Sequence, residues 1–588
     1  GAAPPDPEIG FPPPAIPALV TPPLTDEGAW FSLASDPFVH GNPGIPGPLV
    51  TTYLRPDGAR PDSRVIVVEW DPRQVELDVV PGTEEPQSAT GETGTGMIPR
   101  RPEVMSRLLG AFNGAFQSTH GDFGMQVDGD VIVPPKPYAA TIVRTADGAT
   151  GFGTWPQDLT IPADFVSFRQ NLTPLVEDGK LNPYGREWWG GVPHDWEDET
   201  HTVRSGLCLT HEGFIAYFYG TRIDHMHLGR TMLAARCDYG VHLDMNQGHT
   251  GLELYRVYKD GELPSLSDKS GKSDKLDGHW QTEGDVLDMP GYKFRGRRLV
   301  RSLQLMHFPR YIRRGARDYF YLLLRPLLPG LPLAPDVREG DEGAWTFKGL
   351  PQRGFPYALA TTSVRPDPAR TETKVRVLKF DPTVLRISPV AVAQAGESAV
   401  AQGGSDARES ADTVLAIDRG SVPSAKDSAP APLDRESSVS LWLVPGRAVI
   451  AGSAPAADAV RLASGSTAPS GAVAAALGVD ADGMVVYAEV ATAADPPRDG
   501  TLLARVMDGA RCTGRLYLRS PLVVALGGVT DLAGHPVRLT VSAVRLVRER
   551  AARARRVFPE TPILPPQDWM PLQRQTRWFP KEVESAAP

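Results

Sequence analysis

Cysteine is scarce in this sequence, which has 3 cysteines among 588 residues. Three are too few for a disulfide framework, and Cys208, Cys237 and Cys512 do not form a cluster of closely spaced metal ligands. Free cysteines usually behave as small buried hydrophobic residues, and this is the role that we expect for them. A single Cys208–Cys237 bridge is the alternative.

The sequence also lacks a long apolar segment and an excess of positive charge. No run of about 18 apolar residues occurs, so we expect no membrane-spanning helix. The 61 basic residues are outnumbered by 70 acidic ones, for a net charge of -9. This balance argues against a nucleic-acid binder whose affinity would come from phosphate neutralisation.

The Pro-rich start at Gly1 is consistent with a leader removed by processing or cloning, and hence with a secreted or periplasmic protein.

Glycine and proline, in contrast, are abundant, with 58 residues of each. Both shares exceed the usual values of about 7% and about 5%, which predicts many turns, short strands and few long helices. The chain is also longer than the roughly 250–300 residues that one hydrophobic core serves. We therefore expect an α+β fold, in the form of a mixed, β-rich protein of two domains.

Two stretches of the chain match each other without a gap. They read TTYLRPDGARPDSRVIVVEWDP from Thr51 and TTSVRPDPARTETKVRVLKFDP from Thr361, and the pentapeptide DEGAW precedes each of them. Self-similarity of this kind predicts a tandem duplication. We place a Pro-rich arm at 1–23, the first copy at 24–335, and the second copy with a C-terminal tail at 336–588.

The two copies differ in their ionisable side chains. All but one of the 12 histidines lie in the first copy, and His535 is the exception. The stretch HLDMNQGHT, from His242, turns an apolar run polar in the first copy, whereas alignment through Ala-Arg-Cys places Arg519 of the second copy opposite Asp244. Polar groups at such positions lower the stability of a fold. Their retention in one copy and loss in the other therefore indicates that they have a function in the first. The first copy is therefore the predicted active unit, and the second a degenerate one.

The first copy resembles the phosphodiester glycosidase domain family over most of residues 50–260. AFNGAFQSTHGDFGMQVDGDVI is similar to the family's Asn-Gly-Gly-Phe-Phe segment, and NLTPLVEDGKL is similar to its Pro-x-Leu-Val segment. TVRSGLCLTHEGFIAYFYGTR places Arg204 at the family's Arg-Thr position, and LGRTMLAARCDYGVHLDMNQGHT places Asp244 in its Leu-Asp-Gly-Gly signature. Met245, Asn246 and Ala115 replace glycines of these motifs, and glycine would allow closer approach of the backbone to a substrate.

The resemblance implies a hydrolase that cleaves or binds a sugar phosphodiester or a related glycan. Such cleavage needs a carboxylate at an oxocarbenium-like centre and cations or hydrogen-bond donors for the phosphate oxygens. We assign the carboxylate to Asp244, with His249 for proton transfer and Asn246 as an orienting donor. The alternative for Asp244 is capping of its own turn. Arg204 is predicted to hold the phosphate, with Lys136 as the second choice; a strand-edge ion pair and a solvated charge are their respective alternatives.

Other side chains are predicted to line the same cleft. Asn113 matches the family motif, whereas His120 and Asp122 of the same loop do not match it and are read as loop residues. Trp188 and Trp189 are predicted to stack on sugar rings, and burial in the core is the alternative for both.

Three further predictions concern cofactors and partners. Asp244, Asn246 and His249 offer oxygen and imidazole ligands that could bind a divalent cation instead. The basic stretches 293–325 and 545–556 could contact an anionic surface or a partner protein, or could be solvated helix faces packed between the copies. The second candidate function is a non-enzymatic envelope or glycan-binding structural protein, as a subunit of a larger assembly.

Overall fold

The chain forms two compact units, 1–325 with 552–588 and 326–551. The first boundary lies close to the predicted one, but the C-terminal segment, which we had assigned to the second copy, groups with the first unit. The computed structural model describes residues 11–42, 47–190, 200–264, 276–300, 308–328, 332–333, 342–348, 358–369, 371–388, 413–418, 438–444, 446–469, 473–492, 500–526, 530–537, 539, 543–548 and 553–563.

The first unit is built almost entirely of short strands. In chain order they are β1 (Phe31–Ser32), β2 (Leu49–Leu54), β3 (Val65–Trp70), β4 (Val75–Val80), β5 (Leu108–Asn113), β6 (Met125–Val127), β7 (Asp130–Val133), β8 (Ala140–Thr145), β9 (Thr150–Thr154), β10 (Phe165–Asn171), β11 (Val176–Glu177), β12 (Lys180–Leu181), β13 (Thr202–Thr210), β14 (Ile215–Ile223), β15 (Cys237–His242), β16 (Leu252–Lys259), β17 (Gln281–Asp285), β18 (Tyr292–Arg298) and β19 (Tyr319–Leu324).

The second unit contributes another set of strands, and the chain then returns to the first unit. These strands are β20 (Thr346–Lys348), β21 (Leu359–Val364), β22 (Lys374–Phe380), β23 (Leu385–Ser388), β24 (Thr413–Asp418), β25 (Ser438–Val444), β26 (Arg447–Ala451), β27 (Val460–Ser466), β28 (Ala475–Asp480), β29 (Val485–Thr492), β30 (Cys512–Leu518), β31 (Val523–Leu526), β32 (Val544–Arg548) and, back in the first unit, β33 (Ala554–Arg556).

Three sheets make up the described part of the first unit. Their strand orders are β1-β2-β3-β14-β13-β15-β11-β12, β33-β9-β8-β10-β6-β7 and β17-β18-β16-β5-β19-β4. β33 pairs in parallel with β9, whereas the pairs within the other strands are antiparallel. This parallel pairing is the physical reason why the C-terminal segment belongs to the first unit.

The second unit contains a nine-stranded sheet, β20-β21-β22-β29-β28-β30-β27-β25-β26, and a four-stranded sheet, β23-β32-β24-β31. The nine-stranded sheet shares the order β21-β22-β29-β28-β30 with β2-β3-β14-β13-β15 of the first unit. The hairpin registers also correspond: Leu49 faces Trp70 in the first unit and Leu359 faces Phe380 in the second. Shared order and register are what a duplication predicts, and the duplication itself stays a prediction.

Helices are few, so the observed fold is more nearly all-β than the predicted α+β. Strands account for 42% of the described residues and helices for 6%. The described α-helices are α1 (Pro102–Met105), α2 (His225–Ala234) and α3 (Thr501–Gly509). Glycine-containing turns account for the small number of helices. An Asp-Gly turn such as Asp128-Gly129, with φ angles of 51° and 93°, joins β6 to β7 without a helix between them. Among the described residues, no helix combines the length and the apolar character needed to cross a bilayer.

Buried strands at the centre of the first unit fix the positions of the residues that follow them. β5 is buried along its whole length and pairs with β16 on one side and β19 on the other. Phe112 stacks on Phe320 with ring centroids 5.4 Å apart and lies 4.7 Å from Tyr217. Asn113, which follows Phe112 at the end of β5, is therefore attached to a rigid strand. This favours a precise position for its side chain.

Cys208 and Cys237 form a disulfide. Cys208 lies on β13 and Cys237 begins β15, its neighbour in the sheet, so the two Cα atoms are 5.8 Å apart. The expectation that all three cysteines are unpaired was therefore wrong for these two. Cys512 is free and buried, as expected.

Replacing Cys208 and Cys237 with serine is expected to lower the free energy of unfolding of the first unit. The two residues are 29 positions apart, and closing a loop of that size stabilises a fold by about 3–4 kcal/mol in the chain-entropy model. Urea unfolding with and without a thiol reductant measures the effect. The reductant should destabilise the wild type and a Cys512→Ala control but leave the double-serine variant unchanged. A wild type that unfolds identically under both conditions would contradict this expectation.

The predicted Pro-rich arm packs into the first unit where the structure describes it. Phe11 is buried, with its ring centroid 5.2 Å from that of Phe214. The alternative for the basic stretches, solvated helix faces, does not fit their described parts, because these include the strands β18, β19, β32 and β33. Several of their arginines bind carboxylates: Arg295 binds Glu283, Arg297 binds Asp36, Arg555 binds Asp147, and Arg556 binds Glu177 and Asp178.

Candidate functional site

The polar segment that follows β15 lies between β5 and β13. The backbone N–H of Leu243 donates to the carbonyl of Ser205 at 2.9 Å, and that of Asp244 donates to the carbonyl of Gly114 at 2.9 Å. The carbonyl of Asp244 accepts hydrogen bonds from the Ser205 hydroxyl at 2.7 Å and the Thr250 hydroxyl at 3.0 Å. The main chain at Asp244 is therefore held from two neighbouring sheets.

The carboxylate of Asp244 is held as firmly as its backbone. Oδ1 accepts the backbone N–H groups of Met245 at 2.8 Å and Asn246 at 3.1 Å. Oδ2 lies 3.0 Å from Nη1 of Arg317. The turn capping that we considered as the alternative for Asp244 is thus present, and an ion pair accompanies it.

Burial raises the pKa of Asp244 above its ordinary value. The positive charge of Arg317 and the two backbone N–H groups oppose this effect, while the nearby negative charge of Asp318 adds to it. The carboxylate is thus a stronger proton acceptor than a solvated aspartate. Its side chain retains 9% exposure, so it is not sealed from solvent.

Asn113, predicted as a substrate ligand, is instead engaged with the protein. Its Nδ2 group donates to the Ser205 hydroxyl at 2.9 Å and to the carbonyl of Asp244 at 3.3 Å. Its Oδ1 atom accepts from the Tyr217 hydroxyl at 2.8 Å and from the Gly251 N–H at 3.1 Å. These contacts favour a positioning role, in which Asn113 fastens the Asp244 segment to β5.

Arg204, predicted to hold the phosphate, is 1% exposed and binds mainly backbone carbonyls. Nη1 donates to the carbonyl of Trp189 and lies 3.2 Å from Sδ of Met245, and Nη2 donates to the carbonyl of Thr200 at 2.9 Å. Burial lowers its pKa to about 10. Arg204 therefore ties the chain around Trp189 to the Asp244 segment, and its contacts favour a structural role.

Arg317, which we did not predict individually, supplies the cation beside Asp244. It lies within the basic stretch 293–325, two residues before the start of β19, and its side chain is 16% exposed. The sequence contains one signal that pointed to it: Asp318 is the single acid within that stretch. The position of Arg317 and Asp318 next to the buried strand β19 indicates that the two side chains contact protein groups rather than solvent.

Asp318, the residue after Arg317, forms a buried ion pair with Arg169. Nε of Arg169 lies 2.9 Å from Oδ2 of Asp318, and both side chains are almost fully buried. The same Oδ2 accepts the backbone N–H of Ala115 at 3.1 Å. A Cβ atom at Gly114 would lie 2.0 Å from this oxygen, so the glycine is required here by close approach. Arg317 and Asp318 thus connect Asp244 to the core through consecutive residues.

Asn246 and His249 lie on the outer side of the same loop. Asn246 is exposed and His249 is half-buried. The carbonyl of Asn246 accepts the N–H groups of His249 at 2.9 Å and Thr250 at 3.0 Å, which closes the turn. The structure therefore keeps both residues close in the chain to Asp244, with Asn246 stabilising the carboxylate through its backbone N–H.

His120 approaches the site from the loop after β5. Its ring lies 5.8 Å from Phe116 and 6.3 Å from Trp188, centroid to centroid. Burial lowers the pKa of His120, and the positive charge of Arg317 lowers it further. His120, which we had read as a loop residue, is therefore within electrostatic range of Arg317.

The remaining predicted ligands are more buried than a sugar-binding surface requires. Trp189 is 2% exposed and its ring stacks on His225 at 5.5 Å. Trp188 is 8% exposed and packs against Phe116. Nζ of Lys136 lies 5.3 Å from the centre of the Phe123 ring, and burial lowers its pKa. The alternative that we stated for the two tryptophans, burial in the core, describes their surroundings.

The predicted cation ligands Asp244, Asn246 and His249 are not the group that best fits a metal ion. Within the described ranges, one group of three carboxylate and imidazole side chains has its ligand atoms within 4.8 Å of one another, and it consists of Asp57, His201 and His227.

In the second unit, the position after the equivalent strand has a different character. Arg519 directly follows β30 and is exposed. The strand exit that carries a buried carboxylate in the first unit thus carries a solvated cation in the second.

Comparison with known proteins gives structural likeness but no family assignment. No protein-family model matches the chain, and no curated protein matches it. The zebrafish N-acetylglucosamine-1-phosphodiester alpha-N-acetylglucosaminidase catalytic domain, auto-inhibited by its pro-peptide, is 16% identical with a TM-score of 0.26, over 37% of this chain and 76% of that one. A hypothetical protein from Synechocystis is 10% identical with a TM-score of 0.26, over 47% of this chain and 62% of that one. Both scores are low, so function has to be argued from the contacts of the site itself.

Proposed function

We propose that the first unit is a hydrolase that cleaves the glycosidic bond of a sugar phosphodiester at the Asp244–Arg317 pair. The single observation that carries the proposal is this pair: a carboxylate at a strand exit, fixed by two backbone N–H groups, with a guanidinium 3.0 Å away and both side chains reaching solvent. Opposite charges held on a rigid base match a substrate with an anionic phosphate beside an anomeric carbon that becomes positive.

Arg317 is the proposed phosphate ligand in place of Arg204. A guanidinium offers five N–H donors in a planar fork, and the structure uses Nη1 for Asp244. A phosphodiester that approaches from solvent would share this cation with Asp244. The phosphate is a good leaving group, so its departure needs charge stabilisation more than protonation.

Asp244 would act at the anomeric carbon, as a nucleophile or as the base for water. A raised pKa increases its affinity for a proton or an electrophilic carbon. Water supplies the hydroxyl group, so the products are a free sugar and a phosphomonoester. His120, whose lowered pKa favours the neutral imidazole near pH 7, is the proposed second proton acceptor, alongside the predicted His249.

The disulfide supports the proposal that the protein is secreted or periplasmic. Such bonds form and persist in oxidising compartments and are rare in the reducing cytosol, and Cys208–Cys237 lies within the active unit. A carbohydrate partner fits this location. The proposed duplication fits as well, with the second unit as a structural partner that has lost the carboxylate at Arg519.

Substitution of Arg317 by methionine is expected to change both the rate and the pH dependence of turnover. The kcat/KM for a sugar-1-phosphodiester should fall by about 10²-fold or more, because one charged donor to the phosphate is lost. Arg317 also lowers the pKa of Asp244 against the larger effect of burial. Activity that needs ionised Asp244 is lost as the pH falls through this pKa, so the acidic limb should move to higher pH in the variant.

A panel of sugar-1-phosphodiesters, assayed by phosphomonoester release across pH, tests this expectation and the proposed function together. Arg314→Met is the matched control, because Arg314 lies on the same segment with its side chain 55% exposed and 3.6 Å from Asp288. Turnover of no panel member, with retained glycan binding, would favour the second candidate, a binding protein. An acidic limb that stays in place in Arg317→Met would exclude Asp244 as the group that titrates.

A further inference from the structure

We propose that the first unit binds a zinc-class divalent metal ion through Asp57, His201 and His227. These residues come from three separate segments: the connection between β2 and β3, the residue before β13, and the first turn of α2. The proposal is independent of the hydrolase proposed above, because none of these residues belongs to the Asp244–Arg317 pair.

The three ligand atoms already lie close together. All are within 4.8 Å of one another, and Nε2 of His227 lies 3.7 Å from Oδ2 of Asp57. The rings of His201 and His227 have centroids 5.5 Å apart. Ligand atoms about 2.0–2.1 Å from a tetrahedral zinc ion are roughly 3.3 Å from each other, so a shift of about an ångström per side chain would close the site.

A fourth residue, Asp224, orients the imidazole of His227 for this role. Its Oδ1 atom lies 2.7 Å from Nδ1 of His227 and also accepts the backbone N–H of His227 at 2.8 Å, as the N-cap of α2. With the proton on Nδ1, the lone pair of Nε2, which lies 3.7 Å from Oδ2 of Asp57, is left for a metal ion. Histidine ligands of zinc typically donate their second N–H to a carboxylate, and a small rotation of the ring would turn the close contact with Asp224 into such a hydrogen bond.

Charge also favours a cation at this position. Asp57 and Asp224 bring two carboxylates to a partly buried cluster, and Arg60 supplies one positive charge, with Nη1 3.0 Å from Oδ2 of Asp57. Arg204 contributes a more distant positive charge that acts on Asp224. The two imidazoles would bind a metal as uncharged ligands, so a divalent ion would face the two carboxylates against the nearby charge of Arg60 and the more distant charge of Arg204.

The ligand set selects the class of metal. Two imidazole nitrogens and one carboxylate oxygen suit Zn²⁺ and its transition-metal neighbours, whereas Ca²⁺ and Mg²⁺ prefer oxygen ligands in larger number. Three protein ligands leave a fourth position for water. Because the ligands come from the β2–β3 connection, the residue before β13 and α2, the bound ion would join these three segments.

Direct metal titration of the full chain tests the proposal. The protein is dialysed against a chelator and then against buffer, Zn²⁺ alone is added, and bound metal is quantified by calorimetry and elemental analysis. We expect about one equivalent per chain in the wild type, its loss in His201→Gln and His227→Gln, and binding weakened by about 10–100-fold in Asp224→Asn. Cobalt substituted for zinc should give the strong visible absorption of a tetrahedral site.

His211→Gln is the matched control, because His211 also pairs with an aspartate in the first unit, with Nδ1 3.2 Å from Oδ2 of Asp238, but is not part of the cluster. It should bind zinc as the wild type does. Melting curves without metal show whether each variant is folded, and zinc should raise the melting temperature of the wild type and of His211→Gln only. A wild type that takes up no more zinc than a His201→Gln/His227→Gln double variant, or that prefers Ca²⁺, would overturn the proposal.

Discussion

Asp244→Asn is expected to lower kcat for sugar-phosphodiester hydrolysis by about 10²–10⁴-fold, the range that a positioned proton-transfer group contributes. Asparagine retains an oxygen that can accept the N–H groups of Met245 and Asn246. It loses the negative charge that faces Arg317 and that is proposed to act at the anomeric carbon. The substitution therefore removes the chemistry of the side chain while keeping its shape.

Steady-state kinetics of the full chain measure this effect, and Asp288→Asn is the matched control. Asp288 is also an aspartate paired with an arginine, but its side chain is 53% exposed and its partner Arg314 lies 3.6 Å away. This control should retain wild-type kcat and KM. Retained activity in Asp244→Asn, or equal losses in the two variants, would remove Asp244 from the reaction.

Asp318→Ala is expected to lower the free energy of unfolding of the first unit by about 3–5 kcal/mol. The substitution leaves the guanidinium of Arg169 buried without its carboxylate, and breaking a buried pair from one side has this typical effect. The side chains are 1% and 2% exposed, so solvent cannot replace the lost partner. The N–H of Ala115 also loses its acceptor.

Urea unfolding of the full chain measures this loss. Arg314→Met is the control from the same segment; its ion pair is about half exposed, and such pairs contribute about 0–1 kcal/mol. A double variant, Arg169→Met with Asp318→Leu, should recover part of the lost stability, because replacing both charges leaves none unpaired. A single Asp318→Ala variant as stable as the wild type would show that Arg169 does not depend on this carboxylate.

Local features of the fold could be predicted from the sequence. The abundance of turn residues indicated short strands, and the Asp128-Gly129 pair adopts the positive φ angles of a tight hairpin. The position of Asp244 after an apolar strand was also recognisable, because the buried strand ends at His242, two residues before the aspartate. The turn and the strand end depend on residues that are neighbours in the sequence, so one sequence is enough to predict them.

Contacts between distant segments could not be predicted. Cys208 and Cys237 become partners because β13 and β15 are adjacent in the sheet. The spacing of the cysteines along the chain does not show which strands are adjacent. Arg317 reaches Asp244 across 73 positions. Asn113 and Arg204 were found by motif, and their contact with a substrate stays a prediction, but the motif could not show which protein groups surround these buried side chains.

The position of the oxygen taken from water tests the central claim most directly. Wild-type protein hydrolyses a sugar-1-phosphodiester in water labelled with heavy oxygen, and mass spectrometry locates the label in the products. A carboxylate acting at the anomeric carbon predicts that the label enters the sugar and that Asp244→Asn forms both products about 10²–10⁴-fold more slowly. Label found in the phosphomonoester would mean attack at phosphorus, and a wild type that releases no product from any substrate of the panel would contradict a hydrolase at Asp244 and Arg317.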